Sequence, residues 1–127
     1  MLVIEVFVLL LIGGEQLMHG LHNFRIHRRV KVLRMRLAEG QVLRRDVLKH
    51  GEQGIGDWKI VAEKWIKDTA DMLEGYSGAA FASFLHASGN PTAASLLVPR
   101  QARDTYQSLQ ECLNNLLGII EKPEVYL

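Results

Sequence analysis

Two adjacent stretches decide how this chain is built: MLVIEVFVLLLIGGEQLMHGLHNF (residues 1–24), then RIHRRVKVLRMR (residues 25–36). Every position from Met1 to Ile12 is apolar except Glu5, and no Lys or Arg occurs before Arg25. The next twelve residues hold six bases (Arg25, Arg28, Arg29, Lys31, Arg34 and Arg36) and no acid. Wound as a helix, residues 1–24 reach roughly 36 Å, enough to cross a hydrocarbon core of about 30 Å. An oil-seeking run followed at once by cations is the order of a membrane anchor whose basic flank stays on the cytoplasmic side. The expectation is a single span over residues 1–24, with the N-terminus outside and the remainder cytoplasmic. Glu15 opposes it, at about 2–3 kcal/mol if ionised near the bilayer centre. The main rival is a helix buried in a soluble core or lying in the interface. A cleaved signal peptide fits less well, because charge follows the apolar run and no small-residue cleavage pattern is present. A β-strand, favoured by Val3, Ile4, Val6 and Val8, would lack a partner in a chain that otherwise reads as helical.

The rest of the composition is ordinary. The chain has 127 residues, 48% hydrophobic and 23% charged, which excludes a wholly disordered polypeptide and allows one small domain. A single cysteine, Cys112, excludes a disulfide framework and any multi-cysteine metal site. The net charge of +1 conceals an uneven distribution. Residues 1–50 carry nine bases and four acids, and residues 51–127 carry six bases and ten acids. The block Arg25–Arg36 sits beside the most lipophilic segment, so an anionic lipid surface is the expected partner of its six bases.

Downstream, apolar spacing marks helices. Ile26, Val30, Leu33 and Leu37 recur at steps of four, three and four, then Gly40 interrupts the pattern before Val42, Leu43, Val47 and Leu48 resume it. Gly51, Gly54 and Gly56 mark a loop; without a preceding strand or a following Lys-Ser/Thr they make no phosphate cradle. Asp57 is a fitting N-cap for a helix in which Trp58, Val61, Ala62, Trp65, Ile66, Thr69, Met72, Leu73 and Tyr76 share one broad face. Gly75 is a plausible stop, followed by a short small-residue helix anchored on Phe81, Phe84 and Leu85. Ser88 to Pro91 forms a turn and Thr92 to Val98 an apolar loop. From Pro99, Ala102, Tyr106, Leu109, Leu113, Leu116 and Ile120 step alternately by four and three, the most regular stripe in the chain, until Lys122-Pro123 stops it. The expected fold is all-α: an apolar helix over residues 1–24, the anchor, continuing into a basic amphipathic juxtamembrane helix over 25–50, and then a small helical bundle over 57–122.

Little here can carry chemistry. Glu15, His19 and His22 share a helical face at spacings that could hold a divalent metal, but a polar stripe where a helix leaves a membrane has the same spacing, and no metal is expected. His50 and His86 stand alone near helix ends, where an imidazolium complements the helix dipole. No serine sits in a nucleophile elbow, no carboxylates pair as an acid–base dyad, and Asp68 and Asp71 fall on a solvated face. Cys112, beside the last stripe, reads as a small buried hydrophobe. Trp58, Trp65, Tyr106, Leu109, Leu113 and Leu116 read as core or interface anchors. The expectation is a non-enzymatic protein without cofactor or small-molecule substrate, held at a membrane and presenting a helical module to a protein partner or to its own copy. The alternative is a soluble regulator whose basic helix binds nucleic acid, with the apolar N-terminus in a dimer core. A pI near 7.9 and the absence of a nucleic-acid-binding motif weigh against it.

Overall fold

The structure, a computed structural model, describes residues 2–50, 54–87 and 97–127, with side chains from residue 20 onward. Five α-helices and two 3₁₀ turns make up the described residues, with no strand among them: α1 (Leu2–Asp46), α2 (Ile55–Tyr76), α3 (Gly78–Leu85), α4 (Arg103–Glu121) and α5 (Pro123–Tyr126). The fold is an all-helical bundle, in line with the periodicities of the sequence. The loop expected over 51–56 falls partly, and the turn and apolar loop over 88–98 largely, outside the described residues.

α1 is the element that departs most from expectation. It runs through 45 residues without a break, about 67 Å of helix, so the apolar segment continues directly into the basic one, as the sequence implies; the departure lies at Gly40 and in the buried face. Gly40 does not interrupt it. The seam that faces the bundle is Arg29, Leu33, Arg36, Gly40, Leu43 and Val47, of which Leu33 and Val47 are fully buried. These residues alternate at steps of four and three, so the seam is rotated around the helix from the expected stripe. Val30 and Leu37 pack at its margin. The seam contains two arginines and a glycine, which a hydrophobicity pattern passes over. The second half of α1 is therefore a wall of the bundle. A 3₁₀ turn at Val47–Lys49 closes it.

α2 begins one turn earlier than Asp57 implies. Gly54 occupies the N-cap and Asp57 lies in the first turn, where its negative charge complements the exposed N–H groups. Trp58, Ala62, Trp65, Thr69 and Leu73 are buried as the period requires, whereas Val61 lies at the edge, half exposed. Gly75 does not stop the helix; α2 continues to Tyr76. Ser77 ends it and caps α3, its hydroxyl accepting from the Ala80 N–H at 3.3 Å. α3 contributes Ala80 and Phe84 to the core. Asn115 satisfies carbonyls at its C-terminal end, its Nδ2 donating to Phe84 O (3.1 Å) and His86 O (2.7 Å).

Pro99 precedes a 3₁₀ turn (Arg100–Ala102), and α4 starts at Arg103. All six residues of its expected stripe, from Ala102 to Ile120, are buried, with Cys112 and Ile119 alongside. Pro123 closes α4 and opens α5 at its first position, where a missing N–H costs nothing. Trp65 and Phe84 rings meet at 6.3 Å in a tilted arrangement, joining the centre of the core to α3.

Candidate functional site

Where α1 leaves the bundle, its surroundings change abruptly. From Gly20 to Arg28 every residue is exposed except the half-buried Ile26. Nine consecutive residues make about two and a half turns and about 13 Å of helix, so this stretch is open around most of its circumference, Ile26 marking the side toward the bundle. Leu21 and Phe24 are about three-fifths exposed within it, next to Arg25 and Arg28. No acidic residue occurs between Gly20 and Arg36. The acids further along the described part of α1 are already paired, Glu39 with Arg36 at 3.1 Å and Asp46 with Lys49 at 3.2 Å.

The six bases divide into two groups that the sequence does not separate. Arg25, Arg28, Lys31 and Arg34 are exposed, three residues apart, and winding slowly around the outer side of α1. None has a hydrogen bond or ion pair with a described residue. Arg29 and Arg36 instead turn into the bundle. Arg29 lies over the Tyr76 ring, 4.7 Å from its centroid, and donates to the backbone oxygens of Leu127 (3.2 Å) and Tyr76 (3.5 Å). Arg36 donates to Thr69 Oγ1 through Nε (3.2 Å) and Nη2 (3.0 Å), and to Trp65 O at 3.3 Å. Its guanidinium lies 5.7 Å from the Trp65 ring. Both gather α2 onto α1 with charge-assisted hydrogen bonds and cation–π contact. Their spacing carried the clue: each falls four or three residues from Leu33, on the inner seam.

Overlapping the end of the open stretch, a groove of about 880 Å³ lies between α1 and the α4–α5 corner. Ile26, Val30, Ala38, Ile120 and Pro123 supply apolar surface, and His27, Lys31 and Arg34 line it from α1.

The anchors expected in the bundle, Trp58, Trp65, Tyr106, Leu109, Leu113 and Leu116, are all buried in its core. Trp58 Nε1 donates to Leu43 O (2.8 Å) and Trp65 Nε1 to Arg36 O (3.1 Å), which satisfies both indoles. Cys112 is buried and its thiol is pushed up to about 11, chiefly by desolvation and then by the neighbouring Glu111 carboxylate; it is poorly suited to act as a nucleophile at neutral pH. Of the metal-spaced trio, His22 is exposed, while the side chains of Glu15 and His19 lie outside the described set. Among the described residues no group of three ligating side chains could hold a metal ion. Among them, too, no helix is long and apolar enough to cross a membrane. The apolar run expected to do so lies outside the described side chains except for residues 20–24.

No protein-family model, curated protein or solved structure matches the chain. The class defined by the geometry is an all-α bundle with one long helix projecting from it.

Proposed function

We propose that this chain is a non-enzymatic, membrane-anchored helical protein: residues 1–24 span the bilayer once, and the bundle is a cytoplasmic interaction module. Arg25 and Arg28, nearest the anchor, meet anionic head groups, with Lys31 and Arg34 one and two turns further along. The observation that carries the reading is the open stretch Gly20–Arg28. There a helix leaves its bundle, exposes Leu21 and Phe24 to solvent, and sets beside them Arg25 and Arg28, which pair with no described residue, with no acid between Gly20 and Arg36. Apolar and aromatic residues at the interface and cations just beyond it are what the head-group layer selects. Because α1 is continuous, such an anchor would hold the bundle directly above the lipid surface.

The test is alkaline extraction and limited trypsin digestion of the full chain in sealed vesicles. The chain should stay in the membrane pellet. Trypsin applied to the bundle side should cut after the exposed Lys31 and Arg34, spare Arg25 and Arg28 at the lipid surface, and spare Arg29 and Arg36, which are held by the bundle. Recovery of the intact chain as a monodisperse, lipid-free soluble protein would overturn the reading. So would binding to nucleic acid with a steep salt dependence in place of binding to vesicles.

A further inference from the structure

Every titratable side chain that lines the groove between α1 and the α4–α5 corner is basic. His27, Lys31 and Arg34 stand at steps of four and three along α1, so they share one face of the helix. All three are exposed, and none has an ion pair with a described residue. Among the described residues no carboxylate lines the groove. The rest of its surface is mostly apolar. Ile26 and Val30, one turn apart and half-buried, line it from α1, and Ile120 and Pro123 line it from the opposite wall. Along α1 the lining runs from Asn23 to Ala38, about 22 Å of helix.

We infer that this groove holds one anionic phospholipid, its phosphate between Lys31 and Arg34 and part of its acyl chain along Ile26 and Val30. Side chains three residues apart on a helix are neighbours, so two long cations there converge on a single phosphate, with His27 as a further N–H donor. A soluble anion would use the charge and leave the apolar walls uncovered. A wholly apolar ligand would leave the cations without a partner. A molecule with a negative head and an apolar tail satisfies both. The position along α1 points the same way. On the membrane reading, on which this inference rests, the helix leaves the bilayer near residue 24, and Lys31 stands about 10 Å beyond that level. The head-group layer is only about 5–8 Å deep. A head group held at Lys31 therefore stands above its neighbours and draws the top of its own acyl chain out of the bilayer. That length of chain needs apolar cover, and Ile26 and Val30 lie between the membrane end of the helix and Lys31, where the cover is required. Loose attraction of bases to an anionic surface recruits many lipids and needs no groove; a basic pocket at the membrane face selects one.

The experiment is native mass spectrometry of the full chain released from neutral detergent micelles that contain phosphatidylglycerol and phosphatidylcholine in equal amounts. The 14.3 kDa chain should retain one phosphatidylglycerol, about 10-fold in preference to phosphatidylcholine. Lys31→Glu and Arg34→Glu should each reduce that retention about 10-fold. Ile26→Asn, which keeps every cation, should reduce it about 5-fold. Arg45→Glu, exposed on the same helix but outside the groove, should leave it unchanged. Unchanged circular dichroism will establish that the variants fold. In sealed vesicles, phosphatidylglycerol should slow the tryptic cuts after Lys31 and Arg34 relative to phosphatidylcholine alone. Equal retention of the two lipids, or retention that survives Lys31→Glu and Arg34→Glu, overturns the inference. Displacement of the lipid by glycerol phosphate would mark a site for a soluble anion and overturns it too, as does a lipid-free species of twice the mass, in which a second copy covers the groove. Selective retention by a chain that alkaline extraction removes from membranes would instead overturn the anchor, whereas failed retention by a chain that stays in the pellet overturns the lipid site alone.

Discussion

Gly40 shows how much one residue decides in this bundle. A Cβ placed there would lie 2.6 Å from both Leu113 Cδ2 and Trp65 Cζ2, closer than packed atoms tolerate. The glycine lets α1 approach α2 and α4 together at that level. Gly40→Ala should destabilise the fold by about 1–3 kcal/mol through overpacking, despite alanine's better helix propensity. Gly20, with nothing within 4 Å, is the matched control: Gly20→Ala should be neutral or stabilising by about 0.5–1 kcal/mol. Denaturant melts of both variants check the contrast. Cys112 supports a second prediction at this scale. With its thiol pushed up to about 11, alkylation should be slow in the folded protein near pH 8 and rapid once denaturant is added. The raised value in the folded state means that the associated stability is present at neutral pH. It is lost as the pH climbs from the ordinary thiol value of 9.0 through about 11. Alkaline melting curves should therefore fall over that interval, and the fall should be smaller in Cys112→Ala.

Among the elements, α4 is the one whose inward and outward faces separate most cleanly. Leu116 is fully buried and Leu117 is 42% exposed, although they are neighbours. Leu116→Ala should cost about 2–5 kcal/mol, and Leu117→Ala no more than about 0.5 kcal/mol, read from equilibrium unfolding. The periodicities of α2 and α4 were legible in the sequence because their buried faces are apolar apart from Thr69 and Thr105. The inner seam of α1 was not, and Arg29, Arg36 and Gly40 give the reason. A charge run does not tell which guanidinium will find Thr69 or Tyr76. A glycine inside a helix reads as a breaker unless the residues that crowd it are known. The start of α2 was misplaced for a similar reason, since Asp57 serves equally as a cap or as a first-turn acid. At the candidate site, the sequence showed six bases; only the fold divides them into four that face outward and two that hold α2.

On the scale of the whole molecule, stability is unevenly spread. Residues 30–46 of α1 are supported by the core, while Gly20–Arg28 has little beyond its own helical hydrogen bonds. In neutral detergent micelles amide exchange of the full chain should be fast over residues 25–28 and slow around Leu33 and Gly40. In anionic vesicles residues 25–28 should gain protection; identical exchange in the two would contradict the proposed role of Arg25 and Arg28.

Trp58 and Trp65, the two tryptophans of the chain, are seven residues apart, and their indoles bond to carbonyls of Leu43 and Arg36, also seven apart and in reverse order. Both chromophores thus watch the same line, where α2 lies against α1. A fluorescence melt of this protein is a measurement of that junction: fraying of the outer turns leaves the emission unchanged, while a one-residue slip of α2 shifts both emitters at once.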